Sequence, residues 1–367
     1  MKNKKLEAFS GMIIPMDVLF FRDMTRFEKK RSNEVPTMIT PYPSTLYGSL
    51  FSCFLREGLF ETALDSIRNK KTPPMYTYLQ IEKSGLFSYG TFWIPAPIDL
   101  FYNSKAIKKA EYKKIEINAK EWLYRPLTPK DDIYDTYTRA SQMYLSEQGF
   151  KQYCNNEKID GENLVSWERI FCIEEKIGIE IEQNNRQAKD NHLYRIEQVV
   201  FRDSQARYVM SGRMEYLPQK NNRVLQLGGE RKMAYIYWQK QAHPVFEQPM
   251  LQTTGSYVKL ILTTPMTYAV HEALREKLCI DNIEVCGGAS ERPKHMGSYS
   301  MAENKANNLQ KILAPGSILI LKNTGDNKNS TKEWTEKLTA IVNQLEGTYK
   351  GYNQFLITPF EGGEECV

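Results

Sequence analysis

The chain has 367 residues, 41% hydrophobic and 25% charged, with 49 Lys and Arg against 44 Asp and Glu for a net charge of +5. That length holds two domains with real cores, and the composition excludes a disordered, collagenous or disulfide-framework protein. A mild positive charge is compatible with a nucleic-acid partner and is not by itself a sign of one.

In chain order, GMIIPMDVLFF (11–21) predicts a strand, with Pro15 placing it at an edge or a bulge. The polar, proline-punctuated stretch 22–43 reads as a long loop, and loops of that length are often functional. A helix starts at Ser44, with Leu46, Tyr47, Leu50, Phe51, Phe54, Leu55 and Leu59 along one wide face. Gly48 lies one turn inside it, where glycine costs about 1 kcal/mol relative to alanine. Residues 61–165 read as an insertion, with strands and turns over 78–102 and a charged surface segment over 105–122. EEKIGIEI (174–181) and HLYRIEQVVFR (192–202) predict a hairpin, ARYVMSGRM a strand, and LGGERKMAYIYW (227–238) a Gly-Gly turn before a strand. Residues 239–255 read as a linker. Beyond it come a strand (256–265), a helix (267–278), one or two strands within 280–315, and a strand (316–322). A helix (330–345) with Ser330 and Glu333 as a capping box and a strand (352–360) complete a β-α-β-β-α-β order.

The cysteines form no C-x-x-C and the histidines are scattered, so there is no zinc spacing, and a reduced, cytoplasmic setting is expected. The basic opening Met1–Lys5 is followed by no sustained apolar region, and no apolar run approaches the ~18 residues of a membrane span. No nucleophile motif of the G-x-S-x-G kind occurs and the carboxylates are dispersed, so no catalytic residue, metal or cofactor is expected.

Four constellations remain. Around the first helix, Ser44 and Thr45 supply hydroxyls at a helix N-terminus and Tyr47 an aromatic face. Gly48 permits close approach of a backbone, and Arg22 and Arg26 can reach a phosphate. The alternative is a capped helix whose glycine accommodates a neighbouring strand. Gly228 and Gly229 permit an anion nest beside Arg231 and Lys232, or a plain hairpin turn. GTYKGYNQF (347–355) brings Lys350 and Gly351 between two tyrosines, as a backbone cradle or as a helix cap at Gly347 followed by a turn. Arg292, Lys294, His295 and Tyr299 lie in a stretch where 292–322 carries five basic residues against one acidic. That pattern suits single-stranded nucleic acid or a solvated loop.

Taken together, PMDVLFFRD (15–23), PYPSTLYGSL (41–50), EEKIGIEI with LYRIEQVVF, LGGERK (227–232), APGSILIL (314–321) and GYNQFLI resemble, in order and spacing, the third-subunit family of the Cmr-type (type III-B) CRISPR effector complex. That family belongs to the RAMP superfamily. The resemblance implies an α+β fold of two ferredoxin-like (RRM-like) domains in tandem, at 1–245 with the 61–165 insertion and at 246–367. It implies a non-catalytic subunit that grips the 5′ tag of the CRISPR guide RNA and docks the large polymerase/nuclease subunit and the first backbone subunit in antiviral defence. Arg22, Ser44, Thr45 and Tyr47 become tag contacts or shapers of the cleft. Arg195, Gly228, Gly229 and Arg231 line it from the hairpin side, and Gly351 matches the superfamily's glycine-rich loop. Where many relatives carry a Gly-Trp-Asp-like signature, this chain reads Gly297-Ser298-Tyr299-Ser300. Two alternatives stand beside this: a guide-RNA-processing endoribonuclease using His295 or His192, and a scaffold with little RNA contact.

Overall fold

A computed structural model of the chain describes residues 6–22, 34–56, 58, 78–118, 121–130, 136–181, 188–215, 220, 222–240, 248–249, 254–297, 299–300, 305–306, 308–325 and 329–360. Along them run strand β1 (Glu7–Pro15), helix α1 (Pro43–Arg56), and strands β2 (Leu79–Ser88), β3 (Thr91–Pro95), β4 (Tyr112–Asn118), β5 (Glu121–Pro126) and β6 (Met143–Ser146). Helix α2 (Glu147–Cys154) precedes β7 (Leu164–Ser166), β8 (Phe171–Ile181), β9 (Ala188–Phe201), β10 (Arg207–Met214), β11 (Asn222–Gln226) and β12 (Met233–Gln239). The last third holds β13 (Tyr257–Leu262), α3 (Tyr268–Ile280), β14 (Ile283–Ala289), β15 (Gln310–Leu313), β16 (Ile318–Asn323), α4 (Thr331–Val342) and β17 (Phe355–Pro359).

Two large sheets organise these elements. The first has eight strands in the order β7-β6-β3-β2-β10-β1-β12-β11. Strict alternation in MAYIYWQ buries Ala234, Ile236 and Trp238 and exposes Met233, Tyr235 and Tyr237. The buried face meets the apolar stripe of α1, where Leu46, Leu50, Phe51 and Phe54 join Phe9, Ile13, Leu86 and Trp93 in one core. The second sheet has the order β17-β13-β16-β14-β5-β4. Helices α3 and α4 cover one face of it through Leu274, Leu278, Trp334, Leu338 and Ile341. The capping box read from the sequence is formed, with the Ser330 hydroxyl accepting from the Glu333 N–H and the Glu333 carboxylate accepting from the Ser330 N–H at 2.7 Å.

The stretch 61–165 is not set apart as an insertion. It supplies β2, β3 and β6 to the middle of the first sheet, and β4 and β5 to the second. The segment read as charged surface (105–122) therefore carries most of the β4–β5 hairpin, and β5 runs parallel to β14 with Tyr124 opposite Gly287. Its lysines hid the strand pattern, although Lys on an edge strand is a common guard against further pairing. The core follows the same crossing: Ile94, Leu145 and Phe150 pack with Ile261, Ile318 and Leu356. At that junction the fully buried Asp99 carboxylate accepts from the Lys259 ammonium at 2.6 Å and from the hydroxyls of Tyr112 (2.9 Å) and Tyr153 (3.0 Å).

The predicted hairpin is present, with β8 and β9 paired from Phe171–Phe201 outward, and Glu34–Val35 adding a short parallel strand at Arg195–Ile196. The basic stretch after Arg292 is not simply a loop, because Lys294–Met296 pairs with β15. The linker expectation over 239–255 falls mostly outside the described residues.

Candidate nucleic-acid interface at the seam

The strap 36–43 connects the end of the first strand region to α1. Thr37 ties it down: its hydroxyl accepts from the Phe21 N–H at 3.1 Å, and its N–H donates to the Glu197 carboxylate at 3.2 Å. Arg22 bridges to Thr37 and is exposed. Arg26 lies outside the described residues.

At the start of α1, the Ser44 hydroxyl is 2.8 Å from the Tyr352 hydroxyl and hydrogen-bonded to it, 308 positions away in the chain. The N–H groups of Thr45 and Leu46 donate to the Tyr42 carbonyl, so this first turn meets part of its own hydrogen-bonding need. Tyr47 is 3% exposed, stacked on Phe51 and edge-on to Tyr349 at 5.6 Å. Burial, with Tyr349 beside it, pushes its phenol up. The expected aromatic face for a base is thus corrected: Tyr47 is a core residue that anchors the terminal loop to the helix. Gly48 shows the reverse. It is exposed, and a Cβ added there meets nothing within 4 Å among the described residues. No strand among the described residues accounts for this glycine.

The loop 347–353 packs onto α1 and β2 as a single 3-10 turn, Thr348–Lys350, between Gly347 (φ 80°) and Gly351 (φ 93°). A Cβ on Gly351 falls 3.1 Å from Ile81, so its glycine serves packing within the chain. Lys350 is half-buried, its ammonium 5.4 Å from the ring centre of Tyr349. Tyr352 packs with Met296 and Ile312, which brings the ribbon carrying Arg292 and Lys294 to the same place. Both cations are exposed, and Lys294 is paired with Glu291 at 2.9 Å. Tyr299 lies in a two-residue strand with Ser300; its side chain is outside the described residues.

The second group forms around the Gly-Gly turn. The Gly229 N–H donates to the Phe20 carbonyl at 2.8 Å, and a Cβ on Gly228 (φ 78°) would sit 2.4 Å from that oxygen. The Gly229 N–H is therefore spent on the chain itself, which corrects its part in an anion nest. Glu230 and Arg231 both take φ 53°, a left-handed conformation that costs about 1–3 kcal/mol at a residue other than glycine. Two ion pairs hold this turn: Lys232 with Asp17 at 3.0 Å, and Lys176 with Glu230 at 3.6 Å. The Lys232 ammonium, hydrogen-bonded to Asp17, holds that carboxyl below its usual range. Arg231 is left exposed at the tip. Arg195, also exposed, pairs with Glu175 at 3.4 Å.

The structure thus gathers Ser44, Thr45, Gly48, Lys350, Gly351 and Lys294 at one end of α1, and Arg22, Gly228, Gly229 and Arg231 at the other end of the Thr37 strap. Between the sheets it also forms a cavity of about 420 Å³ that the sequence reading missed. Its walls include Trp93, Tyr144, Trp167 and Tyr208, with Gln142 and Lys294 as exposed members. No motif marks these residues, because they come from separate strands, a turn and the short helix Trp167–Ile170, which only the folded chain brings together.

A family profile described as "CRISPR-associated protein (Cas_Cmr3)" matches residues 12–359. The chain belongs to the Cas_Cmr3 family. The Cmr-type resemblance read from its motifs is borne out by that match. Among solved structures it is similar to a chain of a type III-B Cmr-β complex bound to cognate target RNA (15% identity, 91% of this chain, 94% of that chain, TM-score 0.47). It is also similar to a chain of that complex bound to target RNA and AMPPnP (15%, 91% and 94%, 0.46). A chain of a Csm3–Csm4 subcomplex of a type III-A interference complex aligns with 12% identity over 88% and 94%, TM-score 0.39. No curated protein matches the chain. No helix among the described residues of this Cas_Cmr3 member is long and apolar enough to cross a membrane, and no group of three or more metal-ligating side chains occurs among them.

Proposed function

We propose that this Cas_Cmr3 chain is a non-catalytic RNA-binding subunit of a type III-B CRISPR effector complex. It grips the 5′ tag of the guide RNA and docks the large polymerase/nuclease subunit and the first backbone subunit. In this reading its last third, with β-α-β-β-α-β elements and the sheet order β17-β13-β16-β14, is ferredoxin-like, and the first sheet is its enlarged counterpart.

The observation that carries the reading is Gly48. An exposed glycine in the second turn of a well-packed helix weakens the helix and serves no contact within the described chain. A sugar-phosphate backbone lying against α1 gives it a purpose, with Arg22, Arg231 and Lys350 as phosphate partners and the bases read as single-stranded RNA usually is.

The test is binding of a guide RNA carrying the 5′ tag against one with a scrambled tag. It uses the chain alone and with its large partner, at two salt concentrations and without added metal. Tag-preferring, salt-sensitive binding with the RNA intact supports the gripping role. Alanine at Arg22 or Arg231 then lowers affinity and reduces the salt slope by about 0.7 for each phosphate no longer neutralised. Absence of tag preference with the partner present leaves a scaffold, and cut RNA points instead to the exposed His295.

A further inference from the structure

We propose that the outer face of the first sheet, the side turned away from α1, seats the large subunit on an apolar band with Arg207 at its centre. The inference rests on the docking reading above. It names the surface and the chemistry that fits it: an apolar protein patch that carries a carboxylate.

Strand register builds the band. Phe92 faces Phe87 across β3 and β2, and Phe87 faces Arg207 across β2 and β10. Ile13 faces Tyr208, so Ile14 comes beside Arg207; Ile14 faces Tyr235, and Tyr235 faces Val224. Their neighbours along the strands, Trp93, Leu86, Tyr208, Ile13, Ile236 and Leu225, lie in the core with α1. By alternation the band occupies the opposite face, and six strands at about 4.8 Å spacing carry it across about 24 Å.

One end of this face has a cover. At β3, β6 and β7, Ile94, Leu145 and Leu164 pack with Phe150 and Tyr153 of α2. The end at β1, β12 and β11 is open. Of the eleven exposed large apolar side chains among the described residues, five gather here: Met16, Val224, Met233, Tyr235 and Tyr237, between 36% and 50% exposed. A patch of exposed apolar side chains on that scale marks an interaction site. Tyr, Met and Arg are favoured at interface centres, whereas Lys, Asp and Glu are depleted there and absent from the band.

Arg207 indicates what the partner carries. Its guanidinium lies over the Phe87 ring, 4.3 Å from the ring centre. Its Nε is buried without a hydrogen-bond partner, and no carboxylate pairs with it among the described residues. Asp203, at the turn before β10, accepts instead from the Ser88 hydroxyl at 3.1 Å and from the N–H groups of Tyr89 (2.6 Å) and Gln205 (2.9 Å). Two charge pairs at the rim are complete, Asp17 with Lys232 and Glu82 with Arg213. An arginine stacked on a ring keeps its edge free for a planar carboxylate, bound through two N–H groups. A sugar-phosphate strand would need cations along its whole path, and this face offers one among aliphatic and methionine side chains. In the reading above the RNA lies on the α1 side, which leaves the outer face to the partner that meets the protein itself.

The experiment mixes the full chain with the purified large subunit, without RNA, and measures affinity for the wild type, Tyr235→Ala, Met233→Ser and Arg207→Met. Tyr235→Ala and Arg207→Met each weaken binding about tenfold or more, as anchors at an interface centre do. Arg207→Lys recovers part of the loss, and added salt weakens the wild type more than Arg207→Met. Tyr235→Ala and Met233→Ser, at partly exposed positions, melt close to the wild type, and all variants bind tagged RNA as the wild type does. Should Arg207→Met not fold, the other two variants carry the test. Wild-type affinity for the large subunit in Tyr235→Ala and Met233→Ser overturns the proposal and leaves the docking reading standing. So does a loss confined to the first backbone subunit, or a loss confined to RNA, which would make the band an RNA platform. A wild-type chain that does not bind the large subunit removes the docking reading and the proposal together.

Discussion

At Gly228 the sequence left open an anion nest or a plain hairpin turn, and the structure forms the turn, with the Phe20 carbonyl where an anion would sit. The residue type was legible; its partner was not, because Phe20 and Gly228 meet only after β1 and β12 pair. Tyr47 fails for a similar reason: a tyrosine on an apolar stripe reads as exposed or buried depending on what covers the helix, and here Tyr349 covers it. Arg231 was legible as an exposed cation because two glycines and two charges mark a turn. What holds that turn is testable by pH. Asp17 is held below its usual value of 3.8, so its bond to Lys232 contributes stability above that pH and loses it as pH falls through the lowered value. Asp17 is more than half exposed, and the contribution is at most about 1 kcal/mol and salt-sensitive. In urea denaturation, the difference between wild type and Asp17→Asn is constant near neutral pH and shrinks below about pH 3.8. A difference that grows on acidification contradicts this assignment.

At the scale of elements, α1, α4 and the β8–β9 hairpin were legible because each carries its own local signal. The stripe Leu46, Leu50, Phe54 has helical spacing, Ser330 and Glu333 close a capping box, and two β-rich runs flank a polar connection. The β4–β5 hairpin was not, because charged residues of both signs interrupt its apolar alternation and its partner β14 lies more than 150 residues away. The local signals carry measurable stability. Ser330→Ala removes the cap acceptor from α4 and lowers unfolding free energy by about 1 kcal/mol. Leu50→Ala leaves a cavity between α1 and the first sheet and lowers it by about 2–5 kcal/mol. Chemical denaturation reads both, and equal losses contradict the contrast between an exposed cap and a core side chain.

Across the whole molecule, the β-α-β-β-α-β order of the last third was visible in the sequence, while the interlocking of the two sheets was not. Asp99 and Lys259 show why: neither belongs to a motif, yet their buried pair, closed by Tyr112 and Tyr153, fastens residues 99–153 to β13. Lys259→Met leaves a buried carboxylate without its cation and costs about 3–5 kcal/mol in unfolding free energy. Adding Asp99→Asn recovers part of that loss, because the unpaired charge goes with it; additive losses contradict a paired network. The same interlocking sets the candidate interface, since Ser44 and Tyr352, Lys294 and Tyr208 come from distant parts of the chain and meet at one seam.

If α1 keeps Gly48 bare for a strand of RNA, a single variant shows it. Gly48→Leu is read twice: unfolding free energy without RNA, and affinity for tagged guide RNA with the large partner present. The expected chain is at least as stable as the wild type, since a helix former better by about 1 kcal/mol replaces glycine in open space. Its RNA affinity is expected to fall tenfold or more, a change of about 1.4 kcal/mol, because the new side chain holds the sugar-phosphate backbone off the helix. Unchanged RNA affinity in a stable variant would contradict the reading and leave the exposed face of α1 without an RNA.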